Sequence, residues 1–369
     1  MNRNSFSPDL LANPHIPGLE AYTPGKQPAG AGWTKLNTNE NPYPPSPKVE
    51  EAIRREAEGA RLRLYPDPRS GELRTALGEL HGLSSENICV GNGSDDILNL
   101  FVRVFCDSKP AAFTLPSYSL YPVLIGIQNG RTVAWEFDRR MELDVDRLAD
   151  LPASILFLTS PNAPTGVGFP AERVAALAEE FSGILVVDEA YADFANENVA
   201  GLVREYPNLC VTRSFSKSYS LAGLRVGYAL ASKRIIELID RVRDSYNVNR
   251  ISQAAALAAL ADRDYFRAVL GKIKRIRNAY QTDFRERGWF TYESRANFIF
   301  TEPVGTGGGR GEKYARSLYN HLYRNRVLVR HFPTHALTSG FLRISVGSEE
   351  EMLKLTECIE TWTGNEQPK

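Results

Sequence analysis

The sequence predicts a mostly parallel α/β sheet of seven strands flanked by helices, with a smaller α+β unit after it. Three observations carry that expectation. Between about 86 and 231, short apolar runs alternate with helical patterns. Runs such as Ser154-Ile-Leu-Phe-Leu-Thr159 and Gly183-Ile-Leu-Val-Val187 are apolar throughout, as strands covered on both faces must be. After Trp289 the alternation stops, and fewer strands are mixed with two helices.

Taken in order, the first 45 residues hold Pro14, Pro17, Gly18, Pro24, Gly25, Pro42, Pro44 and Pro45, a composition that excludes a regular helix or a central strand. Residues 1–45 are therefore expected to form an extended arm lying over the rest. A first helix is expected at 47–60, with Pro47 suited to its opening turn. Strands follow at 88–91, 111–115, 132–136, 154–159, 183–188, 208–213 and 225–231, and helices at 95–106, 117–128, 170–182 and 197–206. Residues 232–288 read as consecutive helices, including a long charged one at about 262–287. Strands at 297–301, 327–330 and 341–346, with helices at 312–325 and 348–363, complete the small unit. The division is thus an arm at 1–45, a large domain at 46–290 and a small domain at 291–369.

Composition narrows the function. Lys plus Arg (44) equals Asp plus Glu (44), so no global field draws nucleic acid or an anionic membrane. No stretch of eighteen apolar residues exists, and the opening residues lack the apolar run of a secretory leader. Cys89, Cys106, Cys210 and Cys358 lie far apart within or beside apolar runs, as reduced core thiols of a cytoplasmic protein would. The five histidines form no ligand cluster, so no metal is expected. Gly305–Gly311 lacks the Lys-Ser/Thr of a phosphate loop and reads as a connector.

Polar groups collect at the carboxyl ends of the predicted strands, where open α/β sheets bind ligands. Strand 88–91 runs into GNGSDD, whose Ser94 and Asp95 amides at a helix start suit a phosphate or a plain cap. Strand 154–159 ends in SPNAPTG, where Asn162 can bond a ring oxygen or simply make an Asx turn. Strand 183–187 ends in Asp188-Glu-Ala-Tyr191. A carboxylate there needs a cationic partner if buried; a protonated pyridine nitrogen is one, and a plain cap or salt bridge is the alternative. In Ser214-Phe-Ser216-Lys217-Ser218, with Arg225 beyond, an amine that can form an imine sits among groups that can grip a phosphate dianion.

With Leu36-Asn-Thr-Asn-Glu-Asn-Pro-Tyr-Pro44, Tyr65-Pro-Asp-Pro68, Pro116-Ser-Tyr-Ser-Leu-Tyr121 and LAGLRVGY, these segments resemble the fold-type I pyridoxal-phosphate aminotransferases. The pattern is most similar to that of the histidinol-phosphate aminotransferase family, from Tyr22 to about Thr363. The resemblance implies pyridoxal 5'-phosphate as cofactor, a homodimer with shared sites, and ping-pong transamination between L-histidinol phosphate and 2-oxoglutarate. Relatives with similar motifs act on aromatic amino acids or decarboxylate threonine phosphate, and those remain the alternatives.

Carried over position by position, Lys217 forms the internal aldimine and shuttles the substrate proton, and Asp188 pairs with the ring nitrogen. Asn162 and Tyr191 address the phenolic oxygen, and Tyr118 stacks on the ring. Ser94, Asp95, Ser214, Ser216 and Arg225 hold the phosphate, joined by Tyr65 of the neighbouring subunit. Arg343 takes the substrate carboxylate, Arg330 assists with an anionic tail, and Tyr22 and Asn39 lie on the substrate side. Three positions depart from the pattern: Asp96 for glutamate, Ala163 for a second asparagine, and His331 for an aspartate.

Overall fold

Residues 7–28 and 30–365 are described by the computed structural model. Parts of the predicted arm (1–6 and 29) and of the predicted small domain (366–369) lie outside the described residues, as do the first six residues of the stretch read as lacking a leader. In chain order the strands are β1 (Thr34–Lys35), β2 (Ile88–Gly91), β3 (Pro110–Leu115), β4 (Arg131–Glu136), β5 (Ile155–Thr159), β6 (Ile184–Asp188), β7 (Leu209–Ser214), β8 (Gly227–Leu230), β9 (Phe290–Thr291), β10 (Phe298–Glu302), β11 (Val327–Leu328), β12 (Arg330–His331) and β13 (Leu342–Ser345). The helices are α1 (Pro47–Ala57), α2 (Gly71–His81), α3 (Ser94–Phe105), α4 (Tyr121–Ile127), α5 (Val145–Ala149), α6 (Ala171–Glu180), α7 (Lys233–Val242), α8 (Arg250–Ala261), α9 (Arg263–Glu286), α10 (Glu312–Arg324) and α11 (Glu349–Asn365).

Seven strands form one sheet in the order β2-β8-β7-β6-β5-β3-β4. Only β8 runs against its neighbours; the pairs β3–β4, β3–β5, β5–β6 and β6–β7 are parallel. The reason lies in the residues: β5 is buried from end to end, and Leu185, Val186 and Val187 of β6 are fully enclosed. Each large aliphatic side chain so enclosed contributes about 1.5–3 kcal/mol relative to exposure. Register then sets the site. Thr159, Asp188 and Thr212 face one another across β5, β6 and β7, so the three strands end level. The order reverses at β3 and β5, which opens a crevice at their carboxyl ends.

A second, antiparallel sheet runs β12-β13-β10-β9. Its core joins Phe298, Leu342 and Ile344 to Leu318 and Leu322 of α10, Leu355 and Ile359 of α11, and Ile273 and Phe284 of α9. The arm is stitched to this unit, because β1 pairs in parallel with β11 and Leu36 is buried in the same core. At its other end the arm touches the large sheet's helices, with His15 Nε2 3.1 Å from the Ile127 carbonyl.

Several expectations shift. The helix expected at 197–206 is only a 3-10 turn, Ala200–Arg204. The one expected at 117–128 begins at Tyr121, because Ser117 and Tyr118 are spent on the crevice. Helices α2 and α5 and strand β1 were not anticipated. Gly305–Gly311 joins β10 to α10 through the short turn Thr306–Gly308 and does not line the crevice. No helix among the described residues is long and apolar enough to cross a membrane.

Candidate active site

Beyond the strand ends lies a cleft of about 290 Å³. Its floor comes from β5, β6 and the loop after β7, its walls from the start of α3 and the segment 117–119, and its roof from the arm and the second sheet.

At the floor, Asp188 is 4% exposed, and its carboxylate accepts from the Ala190 amide (3.1 Å) and the Tyr121 hydroxyl (3.1 Å). Burial outweighs those donors and pushes its carboxyl up to about 6. No cation among the described residues pairs with it. The sequence reading missed the support beneath: Tyr121, fully buried and stacked on Phe157 at 5.0 Å, also bonds Thr159 Oγ1 at 2.6 Å.

Lys217 projects from the loop after β7, and its Nζ donates to the Thr38 carbonyl at 3.2 Å. Burial, aided by the positive charges of Arg343 and Arg225 and opposed by Glu40 and Asp95, lowers its amine to about 8. The loop is fixed from two sides. Asn41 of the arm donates to the carbonyls of Lys217 (3.1 Å) and Ser218 (3.2 Å). From below, Ser218 Oγ donates to Asp193 at 2.5 Å, and Arg213 holds Asp193 (3.0 Å) and the buried Glu189 (2.9 Å). Neither Asn41 nor Asp193 stood out in the sequence.

Arg225 sits in the left-handed region (φ 51°), which turns its guanidinium back to Ser216 Oγ at 3.1 Å and Asp95 Oδ2 at 3.4 Å. Two glycines make that approach possible. A Cβ on Gly93 would stand 2.4 Å from Arg225 Nη2, and one on Gly227 would stand 2.3 Å from the Ser94 amide. Ser94, Asp95, Ser214, Ser216 and Arg225 thus share one end of the cleft. Tyr118 lines the wall, its hydroxyl on Asp95 at 3.1 Å and its ring edge-on to Tyr22 at 5.9 Å.

On the roof side, Asn39 is 1% exposed and gives its amide to the Tyr191 hydroxyl at 2.9 Å. Ser345 and Asn297 lock Asn39 in turn. Arg343 donates to the Asn37 carbonyl at 3.0 Å, and its buried Nε has no partner. Arg330 lines the same end, and no carboxylate among the described residues pairs with either guanidinium.

Two residues turn away from the cleft. Asn162 was expected to face a ring oxygen, but it does not line the cleft. Its amide donates to the Pro116 carbonyl (3.0 Å) and its oxygen accepts from Thr165 (2.8 Å), so the side chain is spent tying its turn to the segment after β3. Ala163 lines the cleft instead. His331 takes the place of the pattern's aspartate, next to Arg330. Its ring turns to the Ser339 carbonyl (2.7 Å), and Phe332, next in the chain, lines the cleft. Tyr65 lies away from the cleft, 77% exposed and stacked on Tyr246 at 4.5 Å.

The residues fit pyridoxal 5'-phosphate. A buried carboxylate without a cation suits a protonated ring nitrogen, a depressed amine suits imine formation, and hydroxyls, helix-start amides and an arginine suit a phosphate. All four cysteines are free and buried, and no metal-binding group of His, Cys, Asp or Glu occurs among the described residues.

The sequence model of class I and II aminotransferases matches residues 31–359. A histidinol-phosphate aminotransferase of Syntrophotalea carbinolica is 44% identical over 347 residues, 94% of this chain and 97% of that protein. One from Geotalea uraniireducens is 44% identical over 351 residues with the same coverage. Among solved structures, the histidinol-phosphate aminotransferase of Sinorhizobium meliloti in complex with pyridoxal-5'-phosphate superposes with a TM-score of 0.80. It is 30% identical and covers 89% of this chain and 90% of that one.

Proposed function

The chain belongs to the class I and II aminotransferases, and we propose that it moves the amino group of L-histidinol phosphate to 2-oxoglutarate, a step of histidine biosynthesis. One observation carries the reading: a single cleft joins a lysine lowered to about 8 with two guanidiniums that no carboxylate among the described residues neutralises. Relatives 44% identical over nearly their whole length bear the name of that reaction.

Bound pyridoxal 5'-phosphate supplies a carbonyl that condenses with amines and a ring that takes up the electron pair left when the donor's Cα–H bond breaks. The protein supplies orientation and proton handling. Ser94, Asp95, Ser214, Ser216 and Arg225 hold the phosphate, the first two through backbone amides. Asp188 keeps the ring nitrogen protonated. Tyr191, fixed by Asn39, donates to the phenolic oxygen, and Tyr118 covers one ring face. Asn162 orders the turn that presents Ala163. Lys217 Nζ, neutral often enough at pH 7 to accept a proton, would take it from the substrate Cα and hold it for return. Arg343 and Arg330 receive the phosphate of the donor and the carboxylates of the acceptor in turn, with Tyr22 beside them.

We divide the chain into a large domain (46–290) and a small one (291–369), with the arm closing the cleft between them. A homodimer is part of the reading. Tyr65, with Leu62 (58% exposed) and Leu64 (53% exposed), offers an apolar surface from which it reaches the neighbouring subunit's phosphate site. Reduced, buried thiols suit a cytoplasmic enzyme.

Single-turnover absorbance of the cofactor-loaded protein tests the assignment, with L-histidinol phosphate, L-phenylalanine and L-threonine phosphate mixed in parallel. The expected result is loss of the visible band with L-histidinol phosphate and its return on adding 2-oxoglutarate. Preference for L-phenylalanine would make it an aromatic transaminase. Carbon dioxide release from L-threonine phosphate, with the band regained unaided, would make it a lyase.

A further inference from the structure

Arg330 and Arg343 stand directly opposite each other on β12 and β13. Like charges in facing positions repel, and in a sheet they are ordinarily separated or neutralised by an acid. No acid among the described residues pairs with either. Phe332 lies between them instead: the Arg330 guanidinium carbon is 5.5 Å from its ring centre and that of Arg343 is 5.2 Å. On its other side Arg343 faces Phe298 at 5.3 Å. The β period of two puts Arg330 and Phe332 on one face and His331 on the other, which matches the cleft lining.

An aromatic face attracts a cation without occupying its N–H donors. A carboxylate in the same place would hold the pair more strongly but would consume the donors that an anionic substrate needs. We infer that Phe332 is a positioning residue that holds Arg330 and Arg343 side by side as one clamp for a dianion, keeping both guanidiniums unquenched. The clamp rests on the transamination reading only for the identity of its natural ligand, a substrate with a phosphate or a second carboxylate. Ring contacts with Phe300 (6.4 Å) seat Phe332 against the second sheet.

The test uses cofactor-loaded protein and succinate, a dicarboxylate with neither an amino nor a keto group, with binding measured by calorimetry. Phe332→Leu keeps apolar bulk and removes the aromatic face. It is expected to weaken succinate binding about tenfold, while Phe332→Tyr stays within about twofold. In turnover Phe332→Leu should raise KM for 2-oxoglutarate and leave kcat nearly unchanged. Unchanged succinate affinity in Phe332→Leu overturns the inference, and so does an equal loss in Phe332→Leu and Phe332→Tyr, which would point to shape alone. Circular dichroism confirms that both variants fold, and Phe332→Trp gives a second aromatic replacement if Tyr is poorly accommodated. A wild-type protein that binds succinate in this Phe332-dependent way yet transfers no amino group would remove the transamination reading and leave the clamp standing.

Discussion

Tyr121 donates its hydroxyl to Asp188 at 3.1 Å, from a side chain that is itself fully buried. The carboxylate at the base of the cleft is therefore held from beneath by a rigid aromatic and left open above. Burial pushes its carboxyl up to about 6, and no cation among the described residues offsets it.

That shift predicts how the apoprotein responds to pH. A carboxyl whose folded value lies above its unfolded 3.8 binds its proton more tightly when folded. The penalty on the folded state is full above about 6 and fades as pH falls toward 4. Asp188→Asn should therefore stabilise the apoprotein at pH 7 by up to about 3 kcal/mol and have little effect near pH 4. Urea unfolding at the two pH values measures it. With cofactor bound the order should reverse at pH 7, because the ring nitrogen then supplies the missing charge.

Lys217 titrates from the opposite direction. Its amine is lowered to about 8, first by burial and then by Arg343. The rate at which the visible band appears on adding pyridoxal 5'-phosphate to apoprotein should rise with pH around a midpoint near 8. Arg343→Gln should move the midpoint up by less than the remaining distance to 10.5, because burial persists. Lys217→Ala should give no such band and no turnover. A midpoint unmoved by Arg343→Gln would mean that the two cations do not feel each other.

Much of this architecture was legible because burial on both faces writes itself into a strand. β5 and β6 are unbroken apolar runs, so their existence and the acid at the end of β6 could be read directly. What escaped was orientation within loops. Asn162 and Ala163 are neighbours in one turn, and nothing in their order says which one faces the cleft; the bond from Asn162 to Pro116, a distant residue, decides it. His331 and Phe332 present the same problem, although alternation from Arg330 could have singled out Phe332. α2 escaped for another reason, since its mixed charged and apolar residues follow a proline-rich stretch and carry no strong signal. Asn41, Tyr121 and Asp193 act through partners far away in the chain, and that pairing exists only in the fold.

The Arg213 network offers a stability test. Arg213 is 5% exposed and pairs with Glu189, which is 3% exposed, and with Asp193. Burial raises the Glu189 carboxyl even beside that arginine. Arg213→Met would leave the Glu189 charge buried and alone, at a cost of about 3–5 kcal/mol. Urea unfolding of the apoprotein at pH 7 should show it as a lower midpoint with the same slope. A loss below about 1 kcal/mol would mean that Glu189 takes up a proton or finds water instead.

Asn41 provides the sharpest separation of positioning from electrostatics. Its amide nitrogen reaches the carbonyls of Lys217 and Ser218, while its oxygen accepts from the Tyr43 amide at 3.0 Å, so the side chain can point only one way. Asn41→Ala removes two donors and no charge. It should cost about 1–2 kcal/mol and lower kcat, while the midpoint for band formation stays near 8. Asn41→Asp keeps the bond to Tyr43 but turns carboxylate lone pairs toward two carbonyls and adds a negative charge near the amine. It should lower kcat further and raise the midpoint, since a nearby anion favours the protonated lysine. If both variants lowered kcat equally with the same midpoint, the arm would serve only to cover the cleft. A larger fall and a raised midpoint in Asn41→Asp alone would show that the arm sets where the lysine stands and how readily it gives up its proton.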